Sequence, residues 1–274
     1  MSTRIRRSDP AIGDLLEITA EATITRIDRA PAGPSSIDPR PLDADEAARW
    51  QRAGPVGIVT ASPHTDDAPT QIARIAAPGV QVAIGHTHLS GPQITAAVDA
   101  TASLSTHLGN GIFLQLPRHP NRLWIQLAED RLTCGFIADG HHLPAETLEV
   151  MLRAKGTGRS FLVSDATELA GKKPGRYETA VGGTVELTAD RRLSYVGTEL
   201  LAGAASDVAA DLRFVPAKMS LSLPDAFALV TRTPGRILGH DTTLRIGAPA
   251  DFVTLTADGS FQRVWQYGQE VTPA

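Results

Sequence analysis

Four short apolar runs, each ending abruptly in histidine or aspartate, constrain this chain more than any other feature. They are VQVAIGHTH (80–88), ASLSTHLGNG (102–111), CGFIADGHH (134–142) and RSFLVSDATELAG (159–171). A continuous run of small, β-branched or apolar residues is the pattern of a strand buried on both faces of a parallel sheet. Between the runs lie SGPQITAAVDA (90–100) and PAETLEVMLRAKG (144–156), whose apolar residues recur at helical spacing. Strands alternating with helices predict βαβ units and a parallel sheet. In a (β/α) barrel of the TIM type the carboxy-terminal strand ends share one rim, and the chemistry sits there. His86, His107, His142 and Asp165 are therefore expected to converge. Imidazoles with one carboxylate suit a hydrolytic metal centre.

The rest of the chain is read around that core. Residues 1–40 carry little signal: DLLEITAEATITRID fits a short helix or a strand, and RAPAGPSSIDPRP reads as a loop. The amino terminus has arginines but no apolar core behind them, so it does not read as a secretory signal. Asp43–Arg52 predicts a helix with an acidic first turn, Val56–Ser62 a buried strand, and PTQIARIAA a helix opened by Pro69. TVELTA and LSYVGT, joined by Asp190-Arg191-Arg192, predict a hairpin. A helix is expected from Pro224 to Thr231, and two or three short strands after residue 248. The domain reading is an ill-defined segment 1–40, a barrel-type catalytic domain 41–240, and sandwich strands 241–274.

At 274 residues, 42% hydrophobic and 20% charged, the chain has ordinary globular composition. A net charge of −4 disfavours nucleic acid as a partner, and no apolar run is long enough to span a membrane. Cys134 is the only cysteine, which fits a reducing, cytoplasmic setting.

Several segments together resemble the N-acetylglucosamine-6-phosphate deacetylase family of the amidohydrolase superfamily. They are AIGHT (83–87), STHLGNG (105–111), IADGHHLP (137–144), LVSDATELAG (162–171) and the closing GAPADFVTL (247–255). The resemblance implies a metal-dependent (β/α) barrel with a small β-sandwich built from both chain ends. It implies hydrolysis of the N-acetyl amide of an amino sugar, N-acetylglucosamine 6-phosphate above all. A divalent ion, zinc by expectation, is implied on His86 and His107. Asp165 is implied as the proton shuttle and His142 as the group facing the amide carbonyl. Gly109, Asn110, His142 and Arg118 are implied to meet the sugar phosphate, with a homodimer as the assembly.

Against the family pattern, the first barrel strand and a His-x-Glu-Gly-Pro segment, whose glutamate is a metal ligand, have no counterpart before residue 40. The family's Ala-Pro-Glu reads Ser62-Pro63-His64. The expectation is therefore a truncated or divergent amino-terminal barrel, with His88 either replacing the lost glutamate or standing as a loop histidine. The alternative function is a sugar-binding or regulatory relative that has lost its metal. For Asp165 the competing role is a helix N-cap, for His86 a surface histidine at a strand end, and for Arg118 a solvated turn.

Overall fold

In the computed structural model the described residues are 41–112, 115–179 and 183–271. Five strands form one parallel sheet in the order β1-β2-β3-β4-β5. They are β1 (Ile58–Ala61), β2 (Gln81–Ile84), β3 (Leu104–Ser105), β4 (Thr133–Phe136) and β5 (Ser160–Leu162). Spatial order equals sequence order, as expected when each strand is followed by a helix returning the chain to the same end. β2 to β5 coincide with the four apolar runs, and their residues are almost all buried.

The returning helices are α1 (Ala44–Ala53, before β1), α2 (Ala68–Ala76), α3 (Gly91–Asp99), α4 (Arg122–Ala128) and α5 (Ala145–Lys155). Local chemistry sets their ends. Asp43 caps α1 by accepting from the Asp45 amide. Ser90 and Gln93 form a capping box on α3, and Asn121 accepts from the amides of Leu123 and Trp124 at the start of α4. Lys155, 1% exposed, ends α5 by donating to the carbonyls of Gln126 (3.0 Å) and Glu129 (2.5 Å), tying α5 to the open end of α4.

Three apolar clusters hold the sheet. One joins α1–α3 to β1 and β2 through Ile72, Val82, Ile84 and Ile94. Another joins α4 and α5 to β4, β5 and the following helices α6 (Val208–Lys218) and α7 (Leu223–Val230) through Phe136, Leu148, Leu162 and Val215. The third, Ile58, Ala83, Leu104 and Phe161, meets Ile237 of α8 (Arg232–Ile237).

A three-stranded antiparallel sheet, β6 (Gly175–Glu178), β7 (Thr184–Leu187) and β8 (Leu193–Tyr195), stands between β5 and α6. The expected hairpin is β7–β8, with Leu187 opposite Leu193. β9 (Phe252–Leu255), β10 (Phe261–Gln266) and β11 (Gln269–Val271) form a second antiparallel sheet in the order β11-β10-β9. The readings made for residues 1–40 lie outside the described residues.

Candidate active site on the strand rim

Register fixes the geometry of the rim. Ile84 pairs with Ser105, Ser105 with Cys134, and Phe136 with Leu162. His86 and His107 thus each stand two residues beyond paired positions, on neighbouring strands. Asp139 and Asp165 each stand three residues beyond a second pair. All four side chains issue from one end of the sheet.

Three of these residues share an uncommon backbone. His86 (φ 47°), His107 (φ 21°) and Asp165 (φ 52°) lie in the left-handed region, where only six non-glycine residues lie among the described residues. Such conformations cost free energy in L residues and concentrate where a side chain must be aimed. Here they turn the chain sharply off β2, β3 and β5.

The aim of the two histidines is mutual. His107 Nε2 lies 2.7 Å from His86 Nε2, with the rings edge to face at 4.4 Å between centroids. Burial, reinforced by His107, holds His86 well below the ordinary imidazole range, so its ring is neutral near pH 7. His107 Nδ1 is buried without a partner, which leaves Nε2 as the nitrogen able to share a proton with His86. Gly111 (φ 61°) passes so close that a Cβ there would sit 2.7 Å from His86 Nδ1.

Orphaned polar atoms surround the pair. Thr60 Oγ1, Ser62 Oγ, Thr87 Oγ1 and Asn110 Nδ2 are buried with no hydrogen-bond partner. Buried polar groups are almost always paired, so a cluster of them along the ends of β1–β3 marks a surface shaped to receive polar groups. His86, Thr87, Gly109, Asn110 and Gln126 line one small pocket there. A second cavity, about 310 Å³, opens at the opposite end of the strands, against Val80, Thr101 and Ser103, and is lined by no titratable side chain.

Beyond β4, the Asp139 carboxylate accepts from the amides of His141 and His142, each at 2.9 Å, and lies 2.7 Å from His142 Nδ1. The two side chains are 3% and 7% exposed. Burial alone would raise the Asp139 carboxyl, but the hydrogen bond and charge of His142 and the two amides outweigh it and lower the net value. An ionised carboxylate only accepts, so Nδ1 carries a proton and Nε2 is the free face of His142. His141 points elsewhere, to the Asp190 carbonyl at 2.9 Å in the β7–β8 turn.

Asp165 is half-buried, and no helix follows it: Glu168–Gly171 form turns. The capping role weighed for it is therefore not realised. Its carbonyl accepts from the Ala204 amide at 3.0 Å, which anchors the backbone and leaves the carboxylate to the rim.

His88 lies past the end of β2, in a loop. Its Nδ1 is 2.6 Å from Arg122 Nη1, which also donates to the Thr87 carbonyl at 2.8 Å. An arginine only donates, so that nitrogen of His88 is occupied as an acceptor. His88 does not stand with His86 and His107 as a third ligand, and no cluster of three His, Cys, Asp or Glu fit to hold a metal occurs among the described residues. The imidazole pair thus fits a metal ion in donor type and in charge state, but supplies one ligand fewer than the three usual in a catalytic zinc site. Arg118 is exposed in the loop leading to α4, apart from the His86 pocket. Arg122 and Asp139 were not singled out from the sequence for the partners they hold here. The spacing of three between Asp139 and His142 was the available signal for the second.

No family model matches the chain. Individual relatives do. N-acetylgalactosamine-6-phosphate deacetylase of Shewanella sp. (strain ANA-3) is 31% identical over 216 residues, 78% of this chain and 54% of that protein. N-acetylglucosamine-6-phosphate deacetylase of Bacillus subtilis is 27% identical over 250 residues, 89% of this chain and 62% of the relative. The crystal structure of the N-acetyl-D-glucosamine-6-phosphate deacetylase of Mycobacterium smegmatis superposes with a TM-score of 0.78 at 29% identity, over 87% of this chain and 65% of that one. By sequence and by fold, the chain is similar to N-acetylglucosamine- and N-acetylgalactosamine-6-phosphate deacetylases over the part of their length that it spans. Its fold is the α/β barrel class of those enzymes, and their printed names cover both the gluco and galacto sugars. The chain spans between about half and two thirds of the length of these relatives.

Proposed function

We propose that this chain hydrolyses the N-acetyl amide of an amino sugar phosphate, N-acetylglucosamine 6-phosphate first, to acetate and the free amine. The observation that supports the reading is that the His86–His107 pair, the Asp139–His142 pair and Asp165 all follow the same ends of neighbouring parallel strands. Orphaned polar atoms fill the space beside the imidazoles.

His86 and His107 would hold a divalent ion, zinc by preference for neutral imidazole, with further ligands from outside the described set. When bound, such an ion supplies a polarised carbonyl and an acidified water. Asp165 accepts the proton of the attacking water as the new C–O bond forms, and returns it to the amine nitrogen as the C–N bond breaks. His142, with Nδ1–H given to Asp139, donates from Nε2 to the substrate carbonyl oxygen when the ring carries both protons. The contact strengthens as charge develops on the oxygen. Asn110 and the backbone at Gly109 face the sugar, and Arg118 offers a bidentate contact to the phosphate. A homodimer is the assembly we infer, from the apolar side chains left exposed on the carboxy-terminal part of the chain.

The test is acetate release from N-acetylglucosamine 6-phosphate after zinc loading, by wild type and Asp165→Asn. Turnover by the wild type and a fall of ~10²–10⁴-fold in the variant, with equal melting temperatures, is the expected result. A sugar-binding relative is the second reading, favoured by the missing third ligand among the described residues. Elemental analysis separates the two: sugar binding with no metal retained after reconstitution would remove the hydrolase.

A further inference from the structure

One helix is tied to both of the strand ends that carry the rim histidines. Arg122 opens α4 and Gln126 follows four residues later, so the two side chains share a face. Both are buried, at 9% and 3% exposure. Long polar side chains are seldom buried unless they hold particular partners.

Arg122 holds the end of β2. Its Nη1 has two protons and two acceptors, the Thr87 carbonyl at 2.8 Å and His88 Nδ1 at 2.6 Å. Thr87 directly follows His86, whose left-handed backbone persists only where its surroundings over-determine it. Gln126 holds the end of β3. Its Oε1 accepts from Ser105 Oγ at 2.7 Å, two residues before His107, and its Nε2 donates to the Arg122 carbonyl at 3.2 Å. An unbroken series of contacts thus runs from Thr87 through Arg122 and Gln126 to Ser105, across one turn of α4. The start of that turn is fixed in its own right: the Asn121 side chain accepts from the amides of Leu123 and Trp124 and donates to the Pro117 carbonyl at 3.1 Å.

We propose that Arg122 and Gln126 are positioning residues for the imidazole pair: a buried strut on α4 that sets the span and aim of His86 and His107 towards a shared divalent cation.

The need for a strut follows from where the two rings stand. They come from separate strands, each on a backbone turn that L residues adopt at a cost. The free energy spent on arranging ligands is subtracted from binding, so ligands already held in place bind more tightly. A guanidinium suits the task because its donors are fixed in one plane. Gln126 borders the His86 pocket, but both its polar atoms are taken by Ser105 and Arg122. Each residue therefore acts through a neighbour of a histidine. The effect on metal binding rests on the deacetylase reading, whereas the hold on the two rings does not.

The experiment measures zinc affinity of the full chain, by competition with a chromophoric chelator, for wild type, Arg122→Met, Arg122→Lys, Gln126→Leu and Lys155→Met. Lys155 is the control, because it ties α4 by carbonyls at the helix's other end. Arg122→Met and Gln126→Leu are expected to weaken zinc by ~10–100-fold, the range for partners that orient a ligand. Arg122→Lys recovers part of the loss, since an ammonium still reaches one acceptor. Lys155→Met melts at lower temperature and binds zinc as wild type does. Wild-type affinity in Gln126→Leu and in Arg122→Met overturns the proposal, and Gln126→Leu alone decides if Arg122→Met does not fold. A loss in Lys155→Met equal to theirs also overturns it, because fold stability would then explain the effect. Ring-nitrogen NMR of the metal-free proteins gives a second readout, with the two rings assigned by His86→Gln and His107→Gln. The His86 and His107 signals are expected to move together in Arg122→Met and Gln126→Leu, and to keep their wild-type positions in Lys155→Met. A wild type that takes up no zinc speaks against the deacetylase reading. Ring signals unmoved by Arg122→Met and Gln126→Leu overturn the strut itself.

Discussion

Asp211→Asn should make the protein more stable at neutral pH, by an amount that depends on pH in a defined way. Asp211 is wholly buried and unpartnered, and its carboxyl is raised from 3.8 to about 8. An acid whose folded value is raised binds more protons folded than unfolded between those two values. Its contribution to stability is therefore intact below about pH 4 and is lost as pH rises towards 8. The slope over that window is ~1.4 kcal/mol per pH unit, and the accumulated cost at pH 7 is on the order of 4 kcal/mol. Asparagine keeps the shape and removes the titration. It also leaves a buried amide without partners, which costs ~1–3 kcal/mol at every pH. The variant should thus be less stable than wild type near pH 4, cross it in between, and exceed it by a few kcal/mol near pH 8. Urea denaturation followed by far-ultraviolet circular dichroism, at steps of about one pH unit, measures the difference. The constant amide penalty shifts the curve but does not tilt it, so the slope is the decisive quantity. Parallel stability curves for the two proteins would refute the claim that Asp211 is buried with its proton on.

Other consequences follow from single contacts. Gly111→Ala places a Cβ 2.7 Å from His86 Nδ1 on a left-handed backbone; zinc retention by elemental analysis should drop, with a stability loss of ~1–2 kcal/mol, and unchanged zinc content would mean that His86 is not held where described. Lys155→Met strips the partners from the Gln126 and Glu129 carbonyls. It should lower unfolding free energy by about 2–4 kcal/mol, whereas a change under about 0.5 kcal/mol would show that water takes the lysine's place. Leu244, Ile246 and Tyr267 are strongly exposed near the carboxy-terminal sheet; light scattering should give a dimer mass, weakened by Leu244→Glu with Ile246→Glu, and a monodisperse monomer at high concentration would count against the assembly.

How much of this was legible beforehand follows from where each signal resides. The four parallel strands were readable because a strand buried on both faces needs apolar residues throughout, and the histidine or aspartate at its end breaks that pattern visibly. β3 is hydrogen-bonded over only Leu104–Ser105, yet its run still stood out. The β7–β8 hairpin was readable from alternation, since Val185 and Leu187 are buried and their neighbours are not. β6 was not readable: in Gly175–Glu178 its inward residues are glycine and tyrosine, and its pairing to β7 is backbone work. α4 also escaped notice, because its seven residues are too few to display a period. For His88 both a loop histidine and a chelating partner of His86 fit the sequence, and the structure has the loop histidine. It lies beyond the strand, and Arg122, 34 residues away, determines what its Nδ1 does.

Asp211 shows the other limit. In SDVAADLR an aspartate reads as the polar face of a helix, and nothing local says that α6 turns that face inwards. The reason is tertiary. Gly140 removes the Cβ that would hold Phe214 off, so the helix settles onto the Asp139–His142 loop and carries Asp211 in with it. The rim residues and this one are thus legible in two different ways. His86, His107 and Asp165 end strands on left-handed backbone, so their placement follows from the fold's own geometry and can be read from where apolar runs stop. Asp211 is buried only through the packing of a second element. A glycine at 140 in a loop of ionisable residues, facing an aromatic three positions after an aspartate, is the combination by which it could be sought. Gly140→Ala should then disturb this packing without touching the Asp211 carboxyl. By lifting Phe214 and α6 it should let water reach Asp211 and return its titration towards the ordinary carboxylate range, so that the pH-dependent stability gain of Asp211→Asn shrinks in the Gly140→Ala background.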